Sequence, residues 1–145
     1  MRALVQRVSR AGVTVGEERT AEIGPGVVAL IGVTHHDTVD HAAKLADKIW
    51  NLRIFDDADG VMNLSLADTH RCALVVSQFT LYGDTRRGRR PGYSDAARPE
   101  QAEPLVQTVV DGLAALGAEV AVGRFRAEMA VELVNDGPVT LWIEV

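Results

Sequence analysis

Three stretches of the chain hold residue types that could do chemistry. "SQFTLYGD" at 77–84 ends an apolar run in hydroxyl and amide side chains. Ser77 and Thr80 could act as nucleophiles on a carbonyl, but a hydroxyl needs a base. No His, Lys or carboxylate adjoins either one in sequence. The plainer reading is a strand end whose hydroxyls satisfy backbone groups, and the residues alone leave both open. "TRRGRRPGY" at 85–93 places four guanidinium groups, Arg86, Arg87, Arg89 and Arg90, within five positions. A guanidinium donates two parallel hydrogen bonds to one phosphate, and Tyr93 offers a stacking surface. A solvated charge run is the ordinary alternative. "NDGPVT" at 135–140 sets Gly137–Pro138 at the entrance of the last apolar stretch. Pro138 has no N–H for a strand ladder, so a rigid unit there needs a reason. A cis bond at that peptide would mark a fixed geometry.

Two further candidates are weaker. "THHDTVDH" at 34–41 contains three His and two Asp, yet their spacing matches no metal motif. A helix start on the surface is the better account, and no metal or other cofactor is expected. Cys72 opens an apolar strand and is expected to pack as a small hydrophobe.

These residues need elements to hold them. The chain has 145 residues, 47% hydrophobic, which fits one domain over 1–145 with a real core. Net charge is −5, so a whole-surface grip on nucleic acid is excluded, although 13 of the 15 cationic residues are Arg. The single cysteine excludes an intrachain disulfide. No segment reaches membrane-spanning length, and no signal peptide is expected, so a cytoplasmic protein is the reading.

"RALVQRVS" and "AGVTVG" read as two strands of a hairpin, with "GEER" beyond. "VVALIGV" at 27–33 and "CALVVSQF" at 72–79 are continuous apolar runs, the pattern of strands buried on both faces. In the second, Ser77 and Phe79 should face one way, Gln78 and Thr80 the other. "DTVDHAAKLADKIWNL" is helical, started by Asp37 or Thr38, with Val39, Ala43, Ala46 and Ile49 or Trp50 inward. "RIF" is a short strand before the turn "DDADG", and 81–98 is a long loop. A second helix spans about 100–116, carried by Leu105, Val109, Leu113 and Leu116. Alternation from Phe125 to Leu133 predicts a long strand, and the final strand follows the Asn-Asp-Gly-Pro unit. The sum is an α/β fold, mixed sheets with two main helices on one side.

"SQFTL" at 77–81 and "NDGPVT" at 135–140 together resemble the two signature motifs of the D-aminoacyl-tRNA deacylases, the D-Tyr-tRNA deacylase family. The likeness extends through "ALVQRVSRAGVTV", "LRIFDDADGVMNLSLAD" and "TRRGRRPGYSDAA". The resemblance implies a homodimer of three-layer α/β/β subunits with active sites at their interface. It implies hydrolysis of the ester between a D-amino acid and the 3′-terminal ribose of tRNA. Gly137–Pro138 would be the family's cis unit, reaching into the other subunit's pocket, with Asn135 and Thr140 bracing it. Ser77, Gln78, Phe79 and Thr80 would hold the adenosine and the scissile ester. Two views of Thr80 follow, as nucleophile or as a positioning group beside backbone N–H groups and the substrate's 2′-hydroxyl. The lack of a nearby base favours positioning. Arg87 stands where many members carry Lys, and Tyr93 where Phe is common; both exchanges preserve the expected roles.

An enzyme that accepts many D-side chains must read handedness at Cα, and a rigid backbone that leaves no room for an L-side chain can do so. Glycine has no side chain to clash, so glycyl-tRNA, including that mischarged on tRNA-Ala, should be cleaved. The competing readings are a non-catalytic RNA- or DNA-binding dimer and a small hydrolase unconnected with tRNA.

Overall fold

The computed structural model describes residues 1–145. Strand β1 runs unbroken from Arg2 to Val15. The hairpin expected near Ser9 is absent. The chain turns only after Val15, at Gly16, whose φ of 61° suits glycine. Pairing explains the length. β2 (Glu18–Ile23) takes the second half of one edge of β1, and β3 (Gly26–Gly32) takes the first half. The other edge is occupied along its length by β8 (Ala130–Glu144).

β6 (Cys72–Ser77) lies parallel to β3, and β7 (Val120–Val122) lies parallel to β6. The order is β2-β1-β3-β6-β7, with β8 on β1. Parallel neighbours need crossovers, and two helices supply them. α1 (Val39–Trp50) follows β3, and α3 (Pro99–Leu116) joins β6 to β7. Both cover one face, where Val27, Ala29, Ile31, Ala73 and Val75 share a core with Leu45, Ile49, Val109 and Leu113. On the opposite face, Val28, Leu74 and Val76 meet Val8, Ala11, Val13, Ala21 and Ile23. The second half of β1, with β2, thus lies over β3 and β6. The result is the three-layer α/β/β arrangement, its sheet nearly closed. Burial on both faces is why β3 and β6 read as uninterrupted apolar runs.

Ala46, Ile49 and Trp50 of α1 face inward as expected, and Val39 and Ala43 do not. α1 buries Ala42, Leu45, Ala46, Ile49 and Trp50, while Val39 and Ala43 are exposed. Both sets have helical spacing and share Ala46, Ile49 and Trp50; they differ at the N-terminal half of the helix. A Cβ on Gly112 of α3 would lie 3.0 Å from the Ala46 Cβ, so glycine lets the two helices approach closely there. Leu116, the last residue of α3, is exposed, and Val106 and Val110 complete the buried stripe instead. Each fully buried Leu or Ile contributes about 2 kcal/mol.

Short elements fill the remainder. β4 (Phe55–Asp56) pairs with β5 (Met62–Leu64), and α2 (Leu66–Thr69) is capped by Ser65. β5, α2 and β7 carry too few residues to show a period in sequence. The polar 34–41 segment is taken up by a helix cap and by contacts to distant backbone and the N-terminus. His41 Nδ1 caps α1 with Thr38, His35 meets the Ser94 carbonyl, and Asp37 receives the N-terminal ammonium at 2.5 Å. Cys72 is half-buried, and burial with Glu119 nearby pushes its thiol pKa up, away from thiolate chemistry. No helix is long and apolar enough to cross a membrane.

Candidate functional site

β6 ends at Ser77, two residues earlier than its apolar run suggests. Gln78 still donates its N–H to the Ile31 carbonyl at 2.7 Å, then Phe79–Tyr82 forms one 3₁₀ turn. That turn folds onto the end of β3. A Cβ on Gly32 would lie 3.1 Å from both Leu81 and Tyr82, so glycine admits the close contact. Tyr82 is buried there beneath the Arg2 guanidinium, 4.2 Å from its ring centre, and burial pushes the phenol pKa up to about 12. Leaving the strand cancels the expected two-sided alternation. Ser77, Gln78 and Phe79 all line one cleft of about 590 Å³, together with Tyr93, Phe125 and Met129. Phe79 is 55% exposed and meets Tyr93 edge-on, with ring centres 5.0 Å apart. Two aromatic rings and an apolar floor suit a planar heterocycle.

Thr80 lies beside the cleft without lining it. Its hydroxyl has one partner, the amide of Gln78. An amide N–H is a donor, so it cannot take the proton from an attacking hydroxyl.

The basic loop has a defined base. Asp84 and Gly92 exchange backbone hydrogen bonds of 2.7 and 2.9 Å. Gly88 takes the apex with φ 71°. Arg86 bends back to Asp84 in a two-pronged pair at 2.9 and 2.8 Å. That contact holds the Asp84 carboxyl down at about 2. Arg87, Arg89 and Arg90 are exposed, and no carboxylate pairs with them. The loop therefore presents three free guanidinium groups, one fewer than its sequence offers.

The Asn-Asp-Gly-Pro unit is not a turn between two strands. β8 pairs with β1 on both sides of it: Asn135 opposes Val8, and Thr140 opposes Gln6. Residues 136–139 leave the ladder opposite Arg7 alone. Pro138 lacks an N–H where no rung is made. The long strand expected from Phe125 starts only at Ala130, because 125–127 forms a turn.

The excursion is braced from beneath. Asn135 Nδ2 donates to the carbonyls of Arg7 and Val139, both at 2.9 Å. Its Oδ1 accepts from Thr140 at 3.1 Å and from Gln6 at 3.3 Å. Gly137–Pro138 is cis, and Gly137 has φ 114°. Arg7 is buried below, donating to the carbonyls of Ile54 at 2.7 Å and Asp136 at 3.3 Å. It also pairs with the carboxylates of Asp56 and Asp136, each at 3.2 Å. Sequence reading missed both Arg7 and Gln6. The available signal was phase: Ala3, Val5 and Arg7 occupy the inward positions of β1, and a charge there demands partners.

The sequence motifs are thus sorted in space. Ser77, Gln78, Phe79 and Tyr93 converge on one cleft, and none of Asn135, Gly137, Pro138 or Thr140 lines it. Gly137 and Pro138 are exposed on β8, near the exposed side chains of Val134, Leu141 and Trp142. The outer edge of β8 has no strand partner.

Residues 4–144 match the D-Tyr-tRNA(Tyr) deacylase family. A D-aminoacyl-tRNA deacylase of Symbiobacterium thermophilum is 58% identical over 144 residues, covering 99% of this chain and 95% of that protein. One from Idiomarina loihiensis is 54% identical over the whole of both chains. Among solved structures, a c-Myc DNA unwinding element binding protein superposes with a TM-score of 0.95 at 38% identity, over 100% of this chain and 99% of that one. A probable eukaryotic D-amino acid tRNA deacylase gives 0.85 at 15% identity, over 99% and 98%, a likeness of fold. With its two motifs, its three-layer sheet and near-complete coverage at this identity, the chain belongs to the D-Tyr-tRNA(Tyr) deacylase family.

Proposed function

We propose that the chain performs its D-aminoacyl-tRNA deacylase activity with a cleft from one copy and a Gly137–Pro138 unit from another. The terminal adenosine lies against Phe79 and Tyr93, with the ester beside Ser77, Gln78 and Thr80. Gly137 and Pro138 of a second copy close the cleft and exclude an L-side chain. One observation carries this reading: the chain braces Gly137–Pro138 with Asn135 and Arg7, yet holds it outside its own cleft, on an unpaired strand edge beside exposed Trp142 and Leu141. Long apolar edge strands in native proteins are normally covered. A homodimer across β8 would cover this one and complete the site.

Chemistry follows from positioning. The ester is already activated, so a fixed geometry, backbone N–H groups for the oxyanion and the substrate's 2′-hydroxyl suffice. Thr80 orients the substrate through its contact with Gln78. Arg87, Arg89 and Arg90, with Arg86 once released from Asp84, hold the phosphates of the tRNA. The cytoplasm, where tRNA is charged, is the compartment this role requires.

One preparation assayed on D-Tyr-tRNA, L-Tyr-tRNA and Gly-tRNA tests the reading. Rates should be fast, absent and intermediate to fast, in that order, with Gly-tRNA-Ala among the substrates cleaved. Gly-tRNA that resists high enzyme concentrations would overturn the steric gauge. A sedimentation measurement giving only monomers would overturn the shared site. The free arginines, and the relative described as binding a DNA unwinding element, favour one second reading: a nucleic-acid-binding dimer without turnover. Tight tRNA binding with no deacylation of any substrate would establish it.

A further inference from the structure

Arg126 is one of two non-glycine residues with positive φ, at 60°. An L-residue seldom takes this conformation, and glycine takes it at less cost. It sits in a turn closed by the Ala127 N–H on the Arg124 carbonyl at 3.2 Å. The two arginines of that turn differ. Arg124 pairs with Glu18 at 2.8 Å, whereas Arg126 is exposed and has neither an ion pair nor a side-chain hydrogen bond. Arg126 is also the only charged residue lining the Phe79–Tyr93 cleft, next to Phe125 and Met129.

A strained backbone that delivers an unpaired cation to an apolar cleft calls for an anion. A nucleoside seated in that cleft brings one with it. The phosphodiester on the 5′ side of the terminal nucleotide lies one ribose from the base and must leave at the rim. We infer that Arg126 binds this phosphate and is a substrate-positioning residue, separate from the Arg86–Arg90 loop. This rests on the reading that the cleft holds the terminal nucleoside.

The test compares D-Tyr-tRNA with D-Tyr-adenosine, which has no phosphate. Arg126→Gly suits the backbone, so the fold is retained, as a melting curve will verify. It should raise KM for D-Tyr-tRNA roughly ten-fold and keep kcat within about two-fold. KM for D-Tyr-adenosine should not change, and Arg126→Lys should recover part of the loss. An unchanged KM on D-Tyr-tRNA, or equal increases on both substrates, would overturn the inference. Ala102→Leu, which narrows the cleft from its α3 side, separates the two levels. If it raises KM for both substrates while Arg126→Gly does nothing, only the phosphate contact is wrong. If it affects neither substrate, the cleft is not the nucleoside site and the inference falls with it.

Discussion

Replacing Arg7 by Met should loosen the Gly137–Pro138 unit while largely preserving the packing of β1. Met keeps an unbranched apolar stem of similar length, so little cavity cost is expected. The loss is polar. The Ile54 carbonyl, 2.7 Å from the guanidinium, is left buried without its donor, at about 1.5–3 kcal/mol. Asp56 and Asp136 are about half exposed, and water re-solvates them, so their ion pairs add at most about 1 kcal/mol together. The sum is about 2–4 kcal/mol. For a chain of this size each kcal/mol lowers Tm by about 2–4 °C, so a fall of roughly 5–15 °C is expected. Urea unfolding at 25 °C and fixed protein concentration measures the first quantity. Deacylation well below the new Tm measures the second: kcat/KM on D-Tyr-tRNA should fall, and the ratio of D to L rates should shrink. The second effect is the decisive one, because Arg7 touches Asp136 from beneath and no part of the cleft. A destabilised variant that still cleaves D-Tyr-tRNA at the parent rate and rejects L-Tyr-tRNA would refute the bracing argument.

Other predictions follow from the same geometry. Thr80→Ala should keep kcat within about ten-fold, since the Thr80 hydroxyl has no base; a loss above about a thousand-fold with unchanged tRNA affinity would restore a nucleophile. Removing Arg87, Arg89 and Arg90 together should weaken tRNA binding across sequences and reduce the slope of log K against log salt by about 2–3, and an unchanged slope would take the loop out of the interface. Adding Arg86→Ala to that triple variant should cost less than any one of the three, because Asp84 already pairs with it. The Asp84 carboxyl, with an ordinary pKa of 3.8, is depressed to about 2 by Arg86. A depressed acid stabilises its contact above the unfolded pKa and loses it as pH falls through the folded one. The loop contact should therefore persist to about pH 4 and be lost toward pH 2, as carboxyl NMR would show; a midpoint near 3.8 would mean the pair does not form in solution.

Legibility followed period length. β3, β6, α1 and α3 each hold several turns or rungs of apolar pattern, and sequence placed all four. The two motifs and the arginine cluster were also legible, because they are runs of consecutive residues. β7, α2 and β5 were not, because none is long enough to repeat its period twice. Val39 and Ala43 share helical spacing with the true core positions Ala46 and Ile49, and only packing against the rest of the fold shows that Ala42 and Leu45 complete the buried face instead. The strand through Phe79 was overdrawn because periodicity cannot tell where a neighbour stops. β6 ends where β3 ends.

Local chemistry is written in consecutive residues, so sequence alone determined the α/β class, the two motifs, the cationic loop and the family resemblance. Tertiary structure decided what lies more than a few residues away. Arg7 and Gln6 reach the Gly137–Pro138 unit across about 130 positions, through a β1–β8 ladder that no local pattern announces. Met1 and Asp37 meet across 36 positions, and Thr34 donates to the Asp95 carbonyl across 61, contacts that composition cannot show. Whether Pro138 interrupts a strand depended on its place in the ladder. It stands in a gap between two paired segments, where a missing N–H leaves no acceptor unsatisfied.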